Sequence, residues 1–574
     1  MSLSFSQNTR RRVTYGAVIV GVAALLAGCS GSSPAPADSG ATTAAGSPSA
    51  SSNSAGAAAP AVAGGAATIG LPAGGIDHLE PTLWYMATSW EVAFATCTPM
   101  LTFPDEAANP GAQVVGGIAD LPVMSDGGKT YTFTLRPGIK FSNGNAITAE
   151  DVKYTWLRML SPELASPGAG FFSNIVGASD FNAGKAKTVP GISTSGNSIT
   201  FKLDKPIGSF LYRMTMPFAC PVPTGTPMSA VEDGSILGSG PYIVQSYTPN
   251  QQMVLVKNPY YNADALGARG KLDTITIQIG VDANAAGLQI RAGQMATYMD
   301  RLASADASTA LQDPTLKGQV FVGTLPSTTY LWLNNSVAPF DNPKVRQAIN
   351  YAIDRDSLLR VWGGPSQGSV TDQVLPPTMS GWQKADIYPS KGDVAKAKEL
   401  LQASGVTLPI TATLRVRNDA AGYVNLAEAV QAQLAEVGIN VKIESAPDSV
   451  NQGFITVPAN KIPMGISTWT QDYPDPDDFF GPLLDGNRIT PTSNNNYASF
   501  NSSSANTQIE AMDAVTGPDR STQWNAIDQQ VMTEDAPWAP LINPNLVSLV
   551  AKGTCGYVFH PVYALDLTTL GMCG

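Results

Sequence analysis

The chain has 574 residues, which predicts two or more domains, and 43% of them are hydrophobic, enough for buried cores. Its formal net charge of -11 argues against a nucleic-acid partner, because phosphate binding needs clustered Lys and Arg. The two histidines, His78 and His560, are too few for a multi-histidine metal site, and the sequence has no P-loop or dinucleotide fingerprint. We therefore expect neither a metal nor a cofactor.

Residues 1–28 have the organisation of a bacterial export signal. Three arginines at residues 10–12 precede a mostly apolar stretch, residues 13–27, which is shorter than the roughly 20 residues of a transmembrane helix. The sequence Leu-Ala-Gly-Cys that ends at Cys29 resembles the lipobox of bacterial lipoproteins. This resemblance implies cleavage before Cys29 and lipidation of its thiol, whereas an ordinary secretory peptide is the alternative.

Residues 29–66 are predicted to form a flexible tether. They consist almost entirely of Ser, Ala, Gly, Pro and Thr, and Asp38 is their only charged residue. Such a composition cannot bury enough apolar surface to fold. A tether of this length has an r.m.s. reach of roughly 35 Å, which would let a domain rotate near a membrane partner.

Alternating apolar and polar residues predict a β-rich first half of the chain. Strands are expected at residues 67–71, 131–136, 197–203, 242–247, 253–257 and 272–279. A helix with an acidic first turn is predicted to begin at residues 148–151. Residues 281–316 are expected to be helical in parts.

From residue 330 onward, strands alternate with helices of 10–15 residues, which predicts parallel strand pairing. Strands are expected at residues 330–334, 410–416, 439–443, 462–468 and 539–541. Helices are expected to begin at Pro343 and to cover residues 394–401, 426–437 and 521–535.

The segment WTQDYPDPDDFFGPLL, residues 469–484, follows one of these buried strands and is predicted to be a loop. Its Tyr473-Pro474 and Asp475-Pro476 steps favour an extended chain, because the residue before Pro avoids the helical region. The indole of Trp469 would give a ligand an apolar wall, and Asp472 would neutralise a cation. The alternative is an acidic surface loop.

Several stretches, taken together and in this order, resemble segments of the extracytoplasmic solute-binding proteins of peptide ABC importers, the oligopeptide- and dipeptide-binding family (family 5). They are residues 131–141, 148–160, 238–262, 331–355, 426–443 and 469–484. Their combination covers most of residues 66–574.

The resemblance implies an α/β fold with two lobes, similar to type II periplasmic binding proteins of the large peptide-binding class, with an extra β-rich subdomain in the first lobe. The implied first lobe is residues 67–325, with the subdomain at about 105–222. Residues 326–515 would form the second lobe, and residues 516–574 would return to the first.

In this family a ligand sits between lobes that close by a hinge motion, and the closed form is presented to ABC permease subunits. We therefore expect a non-enzymatic protein that binds short peptides. It is expected to be a monomer, lipid-anchored at the outer face of the cytoplasmic membrane, in the periplasmic space of the cell envelope.

The resemblance also implies site residues. The Asp of the family's Trp-x-x-Asp segment, here Asp472, pairs with the ligand α-ammonium. The backbone of Trp469, Thr470, Gln471 and Asp472 is expected to bind the peptide by strand-like hydrogen bonds.

Arg417 falls where dipeptide-binding relatives carry an Arg for the ligand carboxylate, although Asp419 stands where those relatives have Tyr. Arg415 is an alternative, and a surface ion pair is another role for Arg417. Trp84 and Tyr85 are predicted either to line the cleft or to pack in the core.

Besides Cys29 the chain has four cysteines, which suggests two disulfides with three possible pairings in an exported protein. Cys555 and Cys573 close a short loop and are expected to pair, which leaves Cys97 with Cys220. Free buried thiols are the alternative.

Other functions are weaker alternatives. Ser366 lies in a G-x-S-x-G match that could mark a serine hydrolase completed by His560, but that motif needs a preceding strand and a following helix. The aspartates at residues 472–478 lack the EF-hand spacing for calcium. The same fold could also bind nickel chelates, oligosaccharides, opines or haem, and a sensory or adhesive lipoprotein would deliver nothing.

Overall fold

The computed structural model describes residues 60–104, 113–420, 422–516, 519–560, 562 and 564–574. The predicted signal peptide, the lipidation site Cys29 and the predicted tether up to residue 59 lie outside the described residues. Ala61–Val62 pair antiparallel with Gly571–Cys573, so the last residues of the predicted tether belong to the fold instead. No helix in the described part of the chain is long and apolar enough to cross a membrane.

The first lobe contains a five-stranded sheet. In spatial order its strands are Thr297–Tyr298, Ala66–Leu71, Thr274–Ile279, Gln252–Lys257 and Tyr242–Thr248. The first three strands pair parallel to one another. Strand Gln252–Lys257 pairs antiparallel with both of its neighbours. Inward-facing residues at every second position, such as Ile275 and Ile277, are fully buried, which confirms the predicted strands.

The β-rich subdomain is a four-stranded antiparallel sheet. Its strands are Val123–Ser125, Thr130–Thr134, Ser198–Lys202 and Ile192–Ser195. Helix Ala149–Met159 covers it, and Thr148 and Asp151 form a reciprocal capping box at the start of this helix. Trp156 of this helix is fully buried, in a core that the subdomain shares with Trp84 and Trp90 of the first lobe.

The second lobe is built on a mixed seven-stranded sheet. Six strands follow in spatial order: Val320–Thr324, Trp538–Leu549, Ser327–Leu333, Met464–Thr470, Ile410–Arg417 and Ile439–Ala446; Gly368–Val370 pairs with Trp538–Leu549. The predicted parallel pairing holds for the last three strands. The prediction of parallel pairing is wrong for Ser327–Leu333, which pairs antiparallel with both Met464–Thr470 and Trp538–Leu549. Antiparallel strands beside parallel ones are common in large mixed sheets.

Helices cover the second-lobe sheet. They are Pro343–Ala352, Arg355–Trp362, Val394–Ser404, Tyr423–Ala435, Asp448–Ile455, Asp477–Leu484, Ser503–Ala511 and Asp519–Gln530. Asn342 caps the helix that begins at Pro343, as predicted. Residues 477–484 are helical rather than a loop, because Asp477 and Asp478 occupy the first turn and the apolar residues after them are buried.

The remaining helices belong to the first lobe. They are Ala87–Thr96, Ala178–Asn182, Phe210–Arg213, Ala263–Leu266, Ala283–Arg291 and Ser304–Gln312. Strand Trp538–Leu549 joins the two lobes, because Leu541 packs in a second-lobe core and Leu549 packs in a first-lobe core. The disulfides Cys97–Cys220 and Cys555–Cys573 are both formed, which confirms the predicted pairing.

Candidate ligand-binding site

Three parallel strands of the second lobe end at the same edge of its sheet. Arg417, Ala446 and Thr470 are the last residues of these strands. Asp472 lies two residues beyond the third strand. In open α/β sheets, ligands bind at the carboxyl ends of the parallel strands. A ligand-binding site is therefore expected at this edge.

Asp472 is buried at this edge and contacts the first lobe. Its Oδ2 accepts a hydrogen bond of 3.1 Å from the Tyr85 hydroxyl. Burial raises the pKa of Asp472 to about 7, and the hydrogen bond from Tyr85 acts in the opposite direction. The two lobes are therefore in contact at the residue that is predicted to bind the ligand.

Asp478 is a second carboxylate beside Asp472. Its Oδ2 accepts hydrogen bonds from the Asp472 backbone N–H, at 2.9 Å, and from the Trp469 indole, at 3.2 Å. Its Oδ1 is buried with no hydrogen-bond partner among the described residues. Burial and then the charge of Asp472 raise the pKa of Asp478 well above its ordinary value. No Lys or Arg nitrogen of the described chain lies within 4 Å of either carboxylate.

Asp475 and Asp477 lie in the same segment but are neutralised. Arg520 binds Asp475 through two hydrogen bonds of 2.7 and 2.9 Å. Asp477 accepts hydrogen bonds from Arg213 and Ser209 of the first lobe. Burial alone would raise the pKa of Asp477, but the Arg213 guanidinium holds it below the ordinary range. These two aspartates fasten the segment to the protein.

Trp469 and Thr470 are the last residues of strand Met464–Thr470 and pair with Thr328 and Ser327. The Gln471 backbone N–H donates to the Pro326 carbonyl at 3.0 Å, so that donor is already used. On its other side, the strand pairs with Ile410–Arg417 only at Met464 and Gly465. One edge of residues 466–470 therefore has no strand partner in the described part of the chain.

Arg417 has acidic partners within the protein. Its Nε donates to Asp419 at 2.8 Å, and Asp448 lies 3.8 Å from its Nη1. The residue at which the chain departs from its relatives, Asp419, thus neutralises Arg417. Arg415 is also occupied, because its Nη1 lies 3.3 Å from Glu444.

Tyr85 and Trp84 have different surroundings. The Trp84 indole is buried in a first-lobe core and donates to the His78 carbonyl at 2.6 Å. Tyr85 keeps 37% of its surface exposed while its hydroxyl reaches Asp472. Of these two residues, Tyr85 contacts the predicted site and Trp84 packs in the core.

Two cavities lie elsewhere. One of about 610 Å³ is lined by Asp341, Arg346 and Lys461 of the second lobe. One of about 220 Å³ lies beside Trp84 and the Cys97–Cys220 disulfide. Neither includes Asp472, where the lobes touch.

The alternative sites gain no support from the geometry. Ser366 follows helix Arg355–Trp362 and precedes strand Gly368–Val370, the reverse of the strand-to-helix order of a nucleophile elbow. In the described part of the chain, no group of three His, Cys, Asp or Glu side chains is placed to hold a metal ion.

The sequence analysis did not single out Arg301, a first-lobe residue whose side chain contacts the second lobe. Its guanidinium lies 4.8 Å from the Trp362 ring centre of the second lobe. No local motif marks Arg301, because its neighbours come from distant parts of the chain.

Comparisons with known proteins come from sequence and from structure. Residues 113–491 match the model "Bacterial extracellular solute-binding proteins, family 5 Middle". Di/tripeptide-binding protein 4 of Pseudomonas aeruginosa is 28% identical, over 79% of this chain and 86% of that protein. Heme-binding protein A of Haemophilus influenzae is 28% identical, over 76% of this chain and 80% of that protein. The solved structure of "Clavulanic acid biosynthesis oligopeptide binding protein 2" has a TM-score of 0.83 and 24% identity, over 91% of this chain and 98% of that one.

Proposed function

Because the chain belongs to family 5 of the bacterial extracellular solute-binding proteins, we propose that it captures short peptides between its two lobes and delivers them to an ABC permease. The observation that carries this proposal is the buried Asp472 carboxylate, which contacts Tyr85 of the opposite lobe and has no Lys or Arg nitrogen of the described residues within 4 Å.

The first step is the recognition of a ligand ammonium. Asp472 and Asp478 form a carboxylate pair that lacks a positive partner among the described residues. An unpaired buried carboxylate is costly, whereas a primary ammonium supplies three donors and a positive charge. The α-ammonium of a peptide bound at Asp472 would offset the burial of this charge.

The second step is the recognition of a peptide backbone. The edge of residues 466–470 has no strand partner in the described chain. An extended peptide can add to such an edge by main-chain hydrogen bonds, and its alternate side chains then enter pockets. This arrangement favours peptides over solutes that have no extended backbone.

The remaining assignments follow from the family and the sequence. We propose that residues 67–325 form most of the first lobe and residues 326–515 most of the second. Helix Asp519–Gln530 and the first half of strand Trp538–Leu549 pack in second-lobe cores, so we propose that the chain returns to the first lobe within that strand, later than residue 516. The protein acts as a monomer that catalyses no reaction. Lipidation at Cys29 holds it at the outer face of the cytoplasmic membrane, next to its permease.

Native mass spectrometry of the protein from residue 30 onward tests the function. We expect the wild type to carry a set of added masses that match short peptides. Asp472→Asn should lose them, because its neutral amide cannot pair with the ammonium.

Asp120→Asn is the matched control, because Asp120 is an exposed partner of Arg136. It should keep the peptides. An added mass of haem, a sugar or a metal chelate in place of peptides would overturn the ligand class and leave the fold intact.

A further inference from the structure

A zwitterionic peptide brings a carboxylate as well as an ammonium into the site. The predicted partner of that carboxylate, Arg417, already has Asp419 and Asp448 beside it. A cation with no described carboxylate oxygen within 4 Å of it is therefore a better match for the ligand.

Arg301 is such a cation. It follows strand Thr297–Tyr298, at the carboxyl end of a parallel strand of the first lobe. Its Nη2 donates to the Asn545 carbonyl at 3.0 Å. Its Nε is buried with no acceptor among the described residues, and no carboxylate oxygen of that part of the chain lies within 4 Å of the guanidinium.

Aromatic rings hold Arg301 against the second lobe. The guanidinium carbon lies 4.8 Å from the Trp362 ring centre, and Trp362 meets Tyr423 edge-on at 5.5 Å. The Trp362 indole is fixed by a hydrogen bond of 3.2 Å to the Gln367 carbonyl. A guanidinium that lies over a rigid indole face keeps the N–H groups at the rim of its own plane available for hydrogen bonds to a ligand.

The same aromatic pair leads toward the peptide-binding edge. The Tyr423 hydroxyl hydrogen bonds with Thr468 at 2.7 Å, on the strand that precedes Asp472. Arg301 and Asp472 are thus joined through Trp362, Tyr423 and Thr468. A ligand lying along this strand would have its ammonium at one end of this row and face Arg301 at the other.

Asp300 lies next to Arg301 in the chain and modifies its charge. Its Oδ1 accepts a hydrogen bond of 2.7 Å from the Arg301 backbone N–H, so its carboxylate binds the backbone rather than the guanidinium. Burial raises the pKa of Asp300, while Arg301 and Arg417 act in the opposite direction. Asp300 therefore compensates Arg301 only partly.

We propose that Arg301 binds the C-terminal carboxylate of the peptide. The ligand is then a zwitterion with free ends, whose ammonium is held by Asp472 of the second lobe and whose carboxylate is held by Arg301 of the first. Because opposite lobes hold the two charges, the ligand itself bridges the lobes. This inference rests on the proposed function.

The test uses equimolar libraries of synthetic di- to pentapeptides, one with free C-terminal carboxylates and one with C-terminal amides. The two compete for the ligand-stripped protein, and native mass spectrometry measures the ratio retained. The wild type should prefer the acid library by roughly 30-fold or more, the effect of truncating one partner of a buried charged pair.

Arg301→Gln should reduce this preference to about one while peptides still bind through Asp472. Arg301→Lys, which keeps the charge but loses the fork, should give an intermediate preference. Arg417→Gln is the matched control and should keep the wild-type preference.

An unchanged preference in Arg301→Gln, or its loss in Arg417→Gln, would overturn the assignment. Wild-type protein that binds both libraries equally would also overturn it while leaving the proposed function standing. Wild-type protein that binds neither library would refute the proposed function, and this inference with it.

Discussion

The segment from Asp472 to Asp478 contains two kinds of carboxylate that differ in their partners. Asp475 and Asp477 are buried against Arg520 and Arg213, which neutralise them. Asp472 and Asp478 are buried to a similar degree, but no cation of the described chain lies within 4 Å of either. Asp475 and Asp477 fix the segment to the protein. The charges of Asp472 and Asp478 are not balanced by a cation of the described chain.

The difference separates the aspartates that hold the segment in place from those that we propose to bind the ligand. The neutralised pair contacts both lobes, because Arg213 belongs to the first lobe and Asp477 to the second. Tyr473, which lies between Asp472 and Asp475, is buried in a first-lobe core against Phe171. Rigid anchoring on one side of the segment lets Asp472 be held in place without a charge partner of its own.

The largest expected effect comes from removing the carboxylate of Asp477, which is one of the neutralised pair. Asp477→Asn leaves Arg213 buried without its carboxylate, so the free energy of unfolding should fall by about 3–5 kcal/mol. Urea denaturation followed by circular dichroism measures this change.

Asp120→Asn is the control for this variant, since it breaks an exposed ion pair and should change stability by less than about 1 kcal/mol. Equal stability losses in the two variants would show that Asp477 does not anchor the segment.

The sequence predicted most secondary structure, because strands and helices follow from local apolar patterns. The capping box at Thr148 and Asp151 and the start at Pro343 are examples. The helix at residues 477–484 was missed, since the prolines that precede it, Pro474 and Pro476, suggested a loop. The buried first-turn Asp477 and its distant partner Arg213 stabilise the helix instead.

The site was only partly predictable for the same physical reason. Asp472 follows a recognisable strand end, and its family resemblance singled it out. The four aspartates nevertheless look alike in sequence, and only the distant Arg213 and Arg520 distinguish them. Likewise, the neutralisation of Arg417 depends on Asp448, which lies on a later helix, and Arg301 depends on Trp362 of the other lobe.

The next prediction tests whether the Asp472 carboxylate lacks a cationic partner in the unliganded protein. Its pKa is raised from 3.8 to about 7 in the folded protein, so between these values the folded state binds more protons than the unfolded state. The free energy of unfolding should therefore fall as pH rises from about 4 to about 7. Ammonium binding needs the carboxylate, so peptide affinity should rise over the same range, with a loss of up to about 100-fold at pH 5 relative to pH 8.

Calorimetric titration of a bound peptide between pH 5 and pH 8 measures the affinity, and urea denaturation over the same range measures the stability. Asp528 also has a pKa raised to about 7, so Asp472→Asn serves as the reference that isolates the contribution of Asp472. A pH-independent affinity would contradict the assignment of Asp472 as the ammonium partner.

The smallest effect concerns the one hydrogen bond that links Asp472 to the opposite lobe. Tyr85→Phe removes the donor to Oδ2, so the pKa of Asp472 should rise further and peptide binding should weaken by about 0.5–1.5 kcal/mol. The midpoint of the affinity–pH curve should move to higher pH, which a purely steric change would not produce. Tyr260→Phe is the matched control, since Tyr260 is similarly exposed and its hydroxyl does not contact Asp472. An identical midpoint in Tyr85→Phe and the wild type would mean that the hydroxyl does not stabilise the ionised Asp472, and that the two lobes meet there without electrostatic coupling.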